Sequence, residues 1–228
     1  MIKQSLQQER NFIVGAYPVL AIHNLAGNIT VRAGREGVIE VRATIEYSDY
    51  TEPPTIDMRC PDEKHVTIRV IKQPHTFLDV ALVHFDVVVP RTIDANLHTH
   101  AGQIRVSGIH GQIALHSNAG TIEANRTTLA GDASFQTNAG TITFEGAIDP
   151  RARYQFRNNT GMIELRLPAS GAYHIDASTD LGNVESDFAL ASSRRHFVGQ
   201  TVHGDIGTEL RARLLLSSNA GTIAIRKQ

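Results

Sequence analysis

The sequence predicts an all-β chain, a single-stranded β-helix or β-solenoid of about 20-residue coils with an N-terminal β-strand region capping one end. Three observations carry this. The stretch Ser117-Asn118-Ala119-Gly120-Thr121-Ile122-Glu123-Ala124 returns as Thr137-Asn138-Ala139-Gly140-Thr141-Ile142-Thr143-Phe144 and as Ser218-Asn219-Ala220-Gly221-Thr222-Ile223-Ala224-Ile225, with looser copies at 158–165 and 99–106. The glycines of this series fall at 102, 120, 140, 161, 182 and 221, so the gaps are 18, 20, 21, 21 and 39, and a period near 20 marks a repeat array. No segment keeps helical spacing over a dozen residues, whereas alternation of apolar and polar residues recurs throughout.

Taken in order, strands are expected at Phe12 to Val14, Val19 to Ile22, Ile29 to Val31 and Val38 to Ile45. The last of these alternates, as a half-buried strand does. Asn24-Leu25-Ala26-Gly27-Asn28-Ile29 is an early copy of the repeat. Residues 48–64, with Pro53, Pro54 and Pro61 among acids, read as a surface excursion. Strands resume at His65 to Ile71 and at Val80 to Val89, closed by Pro90. Residues 1–90 are thus an N-terminal strand region and cap, continuous with the coils, and residues 91–228 are the repeats. His203-Gly204-Asp205-Ile206 reads as a degenerate copy filling the long gap between Gly182 and Gly221.

Within each copy the chemistry assigns a direction to every side chain. Counting from the glycine, positions −5 and −3 hold Leu115/Ser117, Phe135/Thr137, Phe156/Asn158 and Leu216/Ser218, and positions +2 and +4 hold Ile122/Ala124, Ile142/Phe144, Ile163/Leu165 and Ile223/Ile225. A side-chain period of two turns both pairs inward. The corner between them is Asn-x-Gly, residue types that tolerate left-handed backbone. The ladder Asn118, Gly120, Asn138, Gly140, Asn159, Gly161, Asn219 and Gly221 is therefore read as structural, with stacked amides along it. Glu123, Thr143, Glu164, Glu185 and Ala224 should line an exposed, mildly acidic side. Because the last copy ends almost at Gln228, its strand is expected to be a bare edge, and end-to-end pairing of copies through Ile223–Ile225 follows.

Composition narrows the function classes. With 22 basic and 23 acidic residues the formal charge is −1, which argues against nucleic acid as a partner. Cys60 is the single cysteine, so no internal disulfide forms. No apolar run approaches 18 residues, so no helical membrane insertion is expected. The opening residues lack the apolar core of a secretory signal, which places the chain as written in the cytoplasm, and at the cell envelope if a leader has been removed.

The run Phe85-Asp86-Val87-Val88-Val89-Pro90 followed by repeated Gly-x-Ile-x-aliphatic units, with Gly27-Asn28-Ile29-Thr30-Val31 before it, resembles the bacterial "putative adhesin" family of β-strand-repeat proteins of unknown function. The likeness spans about residues 12–226. It implies a single-stranded β-helix, association with the cell envelope, and no shared catalytic residues.

Candidate chemistry is sparse. His98 and His116 both stand four residues before a glycine and should stack outward on adjacent rungs, with His100 on the same face, as a zinc or copper candidate. Asp132, Asp149, Asp176, Asp180 and Asp205 are the carboxylates that a β-helix hydrolase would use, but they sit at different offsets from their glycines. Ser192-Ser193-Arg194-Arg195-His196 is a basic insertion that could hold an anion. No Gly-x-Ser-x-Gly elbow, reactive-cysteine signature or phosphate-binding glycine loop is present. The expectation is a non-enzymatic, adhesin-like binding or scaffold protein that needs no cofactor. Its partner would be an extended glycan, an envelope polymer or a second copy of itself. The rival is a carbohydrate-active enzyme of the β-helix type.

Overall fold

The computed structural model describes residues 3–48, 52–71, 81–195, 199–208 and 210–228. The chain is all-β. Its first strands are β1 (Lys3–Ile13), β2 (Val19–Ala26), β3 (Ile29–Ala33), β4 (Val38–Ser48), β5 (Thr55–Asp62), β6 (His65–Ile71) and β7 (Leu82–Val89). The middle of the chain gives β8 (Asp94–Ala101), β9 (Ile104–Ser107), β10 (His110–Gly111), β11 (Ile113–Ala119), β12 (Ile122–Leu129), β13 (Ala133–Ile148) and β14 (Arg153–Leu167). It closes with β15 (Tyr173–Leu181), β16 (Val184–Ser186), β17 (Ala191–Arg195), β18 (Gly199–Ile206) and β19 (Ala212–Lys227).

The expected single-stranded β-helix is not what these strands build. All 19 belong to one mixed sheet, rolled into a nearly closed, barrel-like wall round a single core. Parallel ladders join β2 and β3 to β8 and β9, then to β11 and β12, then to β13 and β14. Antiparallel pairs flank them: β1 with β4 and β4 with β7 on one flank, β5 with β6, and β15 with β18 and β17 with β18 on the other.

Several expectations change with the topology. β19 lies between β14 on one side and β15 and β16 on the other, so the last copy in sequence is interior to the stack. Ile223–Ile225 is therefore no bare edge, and pairing of copies through it is closed off. His203-Gly204-Asp205-Ile206 is not a further rung, because β18 runs antiparallel to β15. Residues 48–64 are more than a surface excursion: β5 forms a hairpin with β6 and puts Met58 into the core at 7% exposure. β1, unforeseen before Phe12, begins at Lys3 and runs along β4 as far as Ser48. Val80 lies outside the described residues. The core passes without a break across residue 90, since Leu20, Ile22, Ile29 and Val31 pack in the same cluster as Leu97 and Ile104.

The core is built from the inward rows that alternation dictates. Ile104, Ile122, Ile142, Ile163 and Ile223 are each fully buried, and so are Phe135, Phe144 and Phe156. Phe135 stacks on Phe156 with ring centroids 4.9 Å apart, and Phe144 meets Phe135 edge-on at 5.9 Å.

The row at position −3 is polar yet buried: Asn24, Thr99, Ser117, Thr137, Asn158, Ser218 and Thr179. Most of these side chains turn toward carbonyls of the glycine corner. Asn158 Nδ2 donates to the Gly140 carbonyl at 2.7 Å, Asn24 Nδ2 donates to the Val83 carbonyl at 2.8 Å, and Thr179 Oγ1 donates to the Gly221 carbonyl at 3.2 Å. A tight corner leaves carbonyls that the ladder does not use, and inside a core they need donors. Replacing Asn158 with Leu should lower stability by about 1–3 kcal/mol, because it strands the Gly140 carbonyl. Asn158→Thr, which restores the residue type of neighbouring rungs, should cost less. Urea denaturation of the two variants checks the order.

Candidate binding face

Strands in register carry their outward side chains in rows that cross the sheet at about 4.8 Å per strand. On the face made by β6, β2, β8, β11, β13 and β14, one row reads Arg69, His23, His98, His116, Gln136, Arg157. The adjoining row reads Thr67, Ala21, Asn96, Ala114, Ser134, Gln155. Small side chains at Ala114 and Ser134 thus lie beside taller ones, over a shallow groove of about 520 Å³ lined by Asp94, Asn96, Ala114, Ser134 and Gln155 among others. A second hollow of about 570 Å³, over Arg157, Ser178, Thr201 and His203, shares Gln155 and Leu215 with the first. Both are open to solvent.

The histidines expected together are together, and a fourth joins them. His98 meets His116 and His100 with ring centroids 4.9 Å apart in each case, and His23 meets His98 edge-on at 5.9 Å. His23 stands four residues before Gly27, the same offset as His98 and His116, and joins the row because β2 pairs with β8. Burial, and then the neighbouring imidazoles of His116, His100 and His23, hold the His98 pKa below the ordinary value. Burial followed by the charge of Arg69 lowers His23 in the same direction. One ring nitrogen of His116 is engaged at 3.0 Å by the Asn118 side-chain oxygen. Among the described residues no three His, Cys, Asp or Glu side chains converge as a metal-binding set, so His98, His100 and His116 form a row of rings without forming a coordination cage.

The turn residues take a division of labour that the sequence reading did not foresee. Positive φ falls on the glycines (141° at Gly120, 143° at Gly140, 129° at Gly161 and 155° at Gly221), and none falls on Asn118, Asn138, Asn159 or Asn219. These asparagines stay in the strands and face outward, and Asn159 Nδ2 donates to Asn138 Oδ1 at 3.2 Å.

The expected acidic side is neutralised. Glu123, Thr143 and Glu164 do line up across β12, β13 and β14. However, Arg105 pairs with Glu123 at 3.2 Å, Arg166 pairs with Glu164 at 2.9 Å, and Arg226 pairs with Glu185 and Asp187. Ala224, expected in the exposed line, is 5% exposed.

Of the candidate carboxylates only Asp176 and Asp205 come together, and they do so around a base. His174 Nδ1 lies 2.6 Å from Asp205 and Nε2 lies 3.2 Å from Asp176, with Arg211 3.5 Å from Asp205. The hydrogen bond from His174 holds Asp205 below the usual carboxylate range and raises His174. A glycosidase acid must instead be held protonated, which requires a raised carboxyl pKa. Asp132 accepts from the Arg153 amide of the neighbouring segment and Asp149 from the Arg151 amide within its own turn, so both are engaged by backbone. In the basic insertion, Ser192 accepts from Gln200 Nε2 at 3.0 Å, while His196 and the side chains of Arg194 and Arg195 lie outside the described residues.

No protein-family profile matches this chain, and no curated protein does either. Among solved structures it is similar to a "putative cell adhesion protein" from Clostridium sporogenes, with 13% identity, coverage of 98% of this chain and 100% of that one, and a TM-score of 0.56. It also aligns, at TM-scores of 0.35, with "putative adhesin" proteins from Bacteroides fragilis (10% identity, 96% of this chain and 97% of that one) and Parabacteroides distasonis (8% identity, 96% and 97%). At such identities the likeness to the Clostridium protein is one of fold.

Proposed function

We propose that this chain is a non-enzymatic, adhesin-like binding protein that meets an extended polymer of a cell envelope or extracellular matrix along the groove face. The observation that carries the reading is the face itself: side chains repeat across six strands at strand spacing, over a groove open along its length. Such a surface matches a ligand that also repeats, as long repeat surfaces do. An enclosed, mostly apolar cleft is the usual setting for a small substrate. The Clostridium protein of like fold, itself called a putative cell adhesion protein, supports the same reading. The reading places the protein at the envelope or outside the cell. No helix among the described residues is long and apolar enough to cross a membrane.

The rival, a polysaccharide-cleaving enzyme, would look to Asp176 and Asp205. Both are half-exposed at the side chain, and they are bridged by His174 rather than set apart across a cleft.

Display of the chain on a non-adherent bacterium tests the proposal. Attachment to cell-wall or matrix-coated surfaces should rise above the empty display host, and Ala114→Glu with Ser134→Glu, which fills the groove from outside the core, should abolish the gain. Attachment no better than the host, or release of reducing ends from a polysaccharide panel, would overturn it.

A further inference from the structure

We infer that the row Arg69, His23, His98, His116 and Arg157 is a binding strip for an acidic polysaccharide, strengthened by acid. This rests on the groove face being the contact surface and adds the chemistry of the ligand and its control.

With Gln136 between His116 and Arg157, the row crosses six adjacent strands, a span of about 24 Å at about 4.8 Å per step. Its imidazoles are neighbours, with centroids 4.9–5.9 Å apart, and His100 lies at 4.9 Å from His98 on the adjoining outward position. A polymer laid across the strands would therefore meet a potential cation at nearly every strand.

Among the described residues the charges around the row leave these cations without carboxylate partners. From β5, Asp57 faces Arg69 but is ion-paired with Arg59 at 2.8 Å. From β8, Asp94 accepts from the Gln112 amide at 2.8 Å, and just before β13 Asp132 accepts from the Arg153 amide at 2.8 Å; both stand at the far side of the groove. From β11 and β14 the neighbours are Asn118 and Gln155, the latter amide being placed to accept from the Arg157 guanidinium. Among the described residues no carboxylate pairs with Arg69, His23, His98, His116 or Arg157.

Clustered, half-buried imidazoles resist protonation, because each charge is desolvated and repelled by the next. An anion along the row removes that repulsion, so the ligand and the protons bind together. The lowered His98 and His23 agree with this: they take up protons only in more acid solution than an ordinary imidazole, so at neutral pH Arg69 and Arg157 are the standing charges beside them.

A polysaccharide fits better than other ligands of its kind. Neutral sugars and single-stranded nucleic acids are held largely by stacking on aromatic rings, and neither this row nor the groove beside it carries Phe or Tyr. The flanking Asn96, Ser134, Gln136 and Gln155 offer hydroxyl and amide partners instead.

Calorimetric titration of the full chain with heparin, alginate, dextran and a single-stranded oligonucleotide at pH 7.5 and pH 5.0 is the test. Heparin or alginate should bind more tightly at pH 5.0, by up to about tenfold for each imidazole whose pKa binding raises by about one unit. Added salt should weaken it. His98→Gln with His116→Gln should remove the acid gain, with an unchanged circular dichroism spectrum and melt at pH 7.5. Arg157→Gln should weaken binding at both pH values, and His110→Gln, away from the row, should change nothing. Dextran should stay unbound.

Binding that ignores pH, survives the double histidine variant, prefers the oligonucleotide, or is absent at both pH values would overturn the inference. If the displayed chain still confers attachment while acidic glycans fail, the ligand assignment falls and the adhesive reading stands. If glycans bind as stated and attachment is absent, the reverse holds.

Discussion

A chain ending at residue 211 is expected not to fold. Residues 212–227 form β19, which supplies the parallel ladder to β14 on one side and to β15 and β16 on the other. Its loss takes Leu214, Leu216, Ile223 and Ile225, each at most 2% exposed, out of the core. At about 1.5–3 kcal/mol for each such side chain, the four amount to about 6–12 kcal/mol, comparable with the whole stability of a typical domain. The cut also leaves two hydrogen-bonding edges facing a gap. In a linear array a terminal repeat costs only its own interface, and the remainder still folds. Circular dichroism and urea denaturation of the 1–211 fragment separate the two cases. A cooperative transition with native strand content would show that β19 is dispensable and that its central placement is wrong.

Gly140→Val is the point substitution expected to cost most. Gly140 has φ 143°, and a Cβ built there would lie 1.9 Å from the Gly120 carbonyl oxygen and 2.7 Å from its carbon. Both are backbone atoms of the neighbouring rung, held by the ladder, so neither can swing aside. A β-branched residue adds its own resistance to positive φ. The loss should exceed about 4 kcal/mol, in the range where cores fail. Gly140→Ala meets the same Cβ clash and should also be severe. Gly15→Ala is the control, since its Cβ would find nothing nearer than the Glu63 carbonyl oxygen at 3.7 Å. Soluble yield and thermal melts of the three variants give the answer. A Gly140→Val protein that melts with the parent would mean the corner is not packed as described.

Much of the candidate site was legible only in fragments. His98, His100 and His116 could be placed on one face by counting from their glycines. His23 and Arg157 hold the same offset, four before Gly27 and Gly161, so the count reaches them too, whereas the place of Arg69 and the order of the strands in the row depend on which strand lies beside which. The buried polar row was visible as inward Ser, Thr and Asn, but its purpose was not. That purpose, donating to corner carbonyls, needs the depth of the corner and the direction of each carbonyl.

By itself the sequence determined which side of each strand faces the core and where the chain must turn. Alternation with period two sets the first, and the need for a residue without Cβ sets the second. These are local rules, settled within a few residues. The tertiary structure alone decided the neighbours. Copies of the repeat present nearly the same edge of N–H and C=O groups and the same inward Ile. Any copy could therefore stack on any other, and period and pattern cannot tell that residues 212–227 belong between β14 and β15. Nor do they give strand direction: a glycine followed by Asp205 and Ile206 looks like one more rung, while the hydrogen bonds run it antiparallel against β15. Neighbour and direction are fixed by how the whole core fills and by which edges remain to be paired.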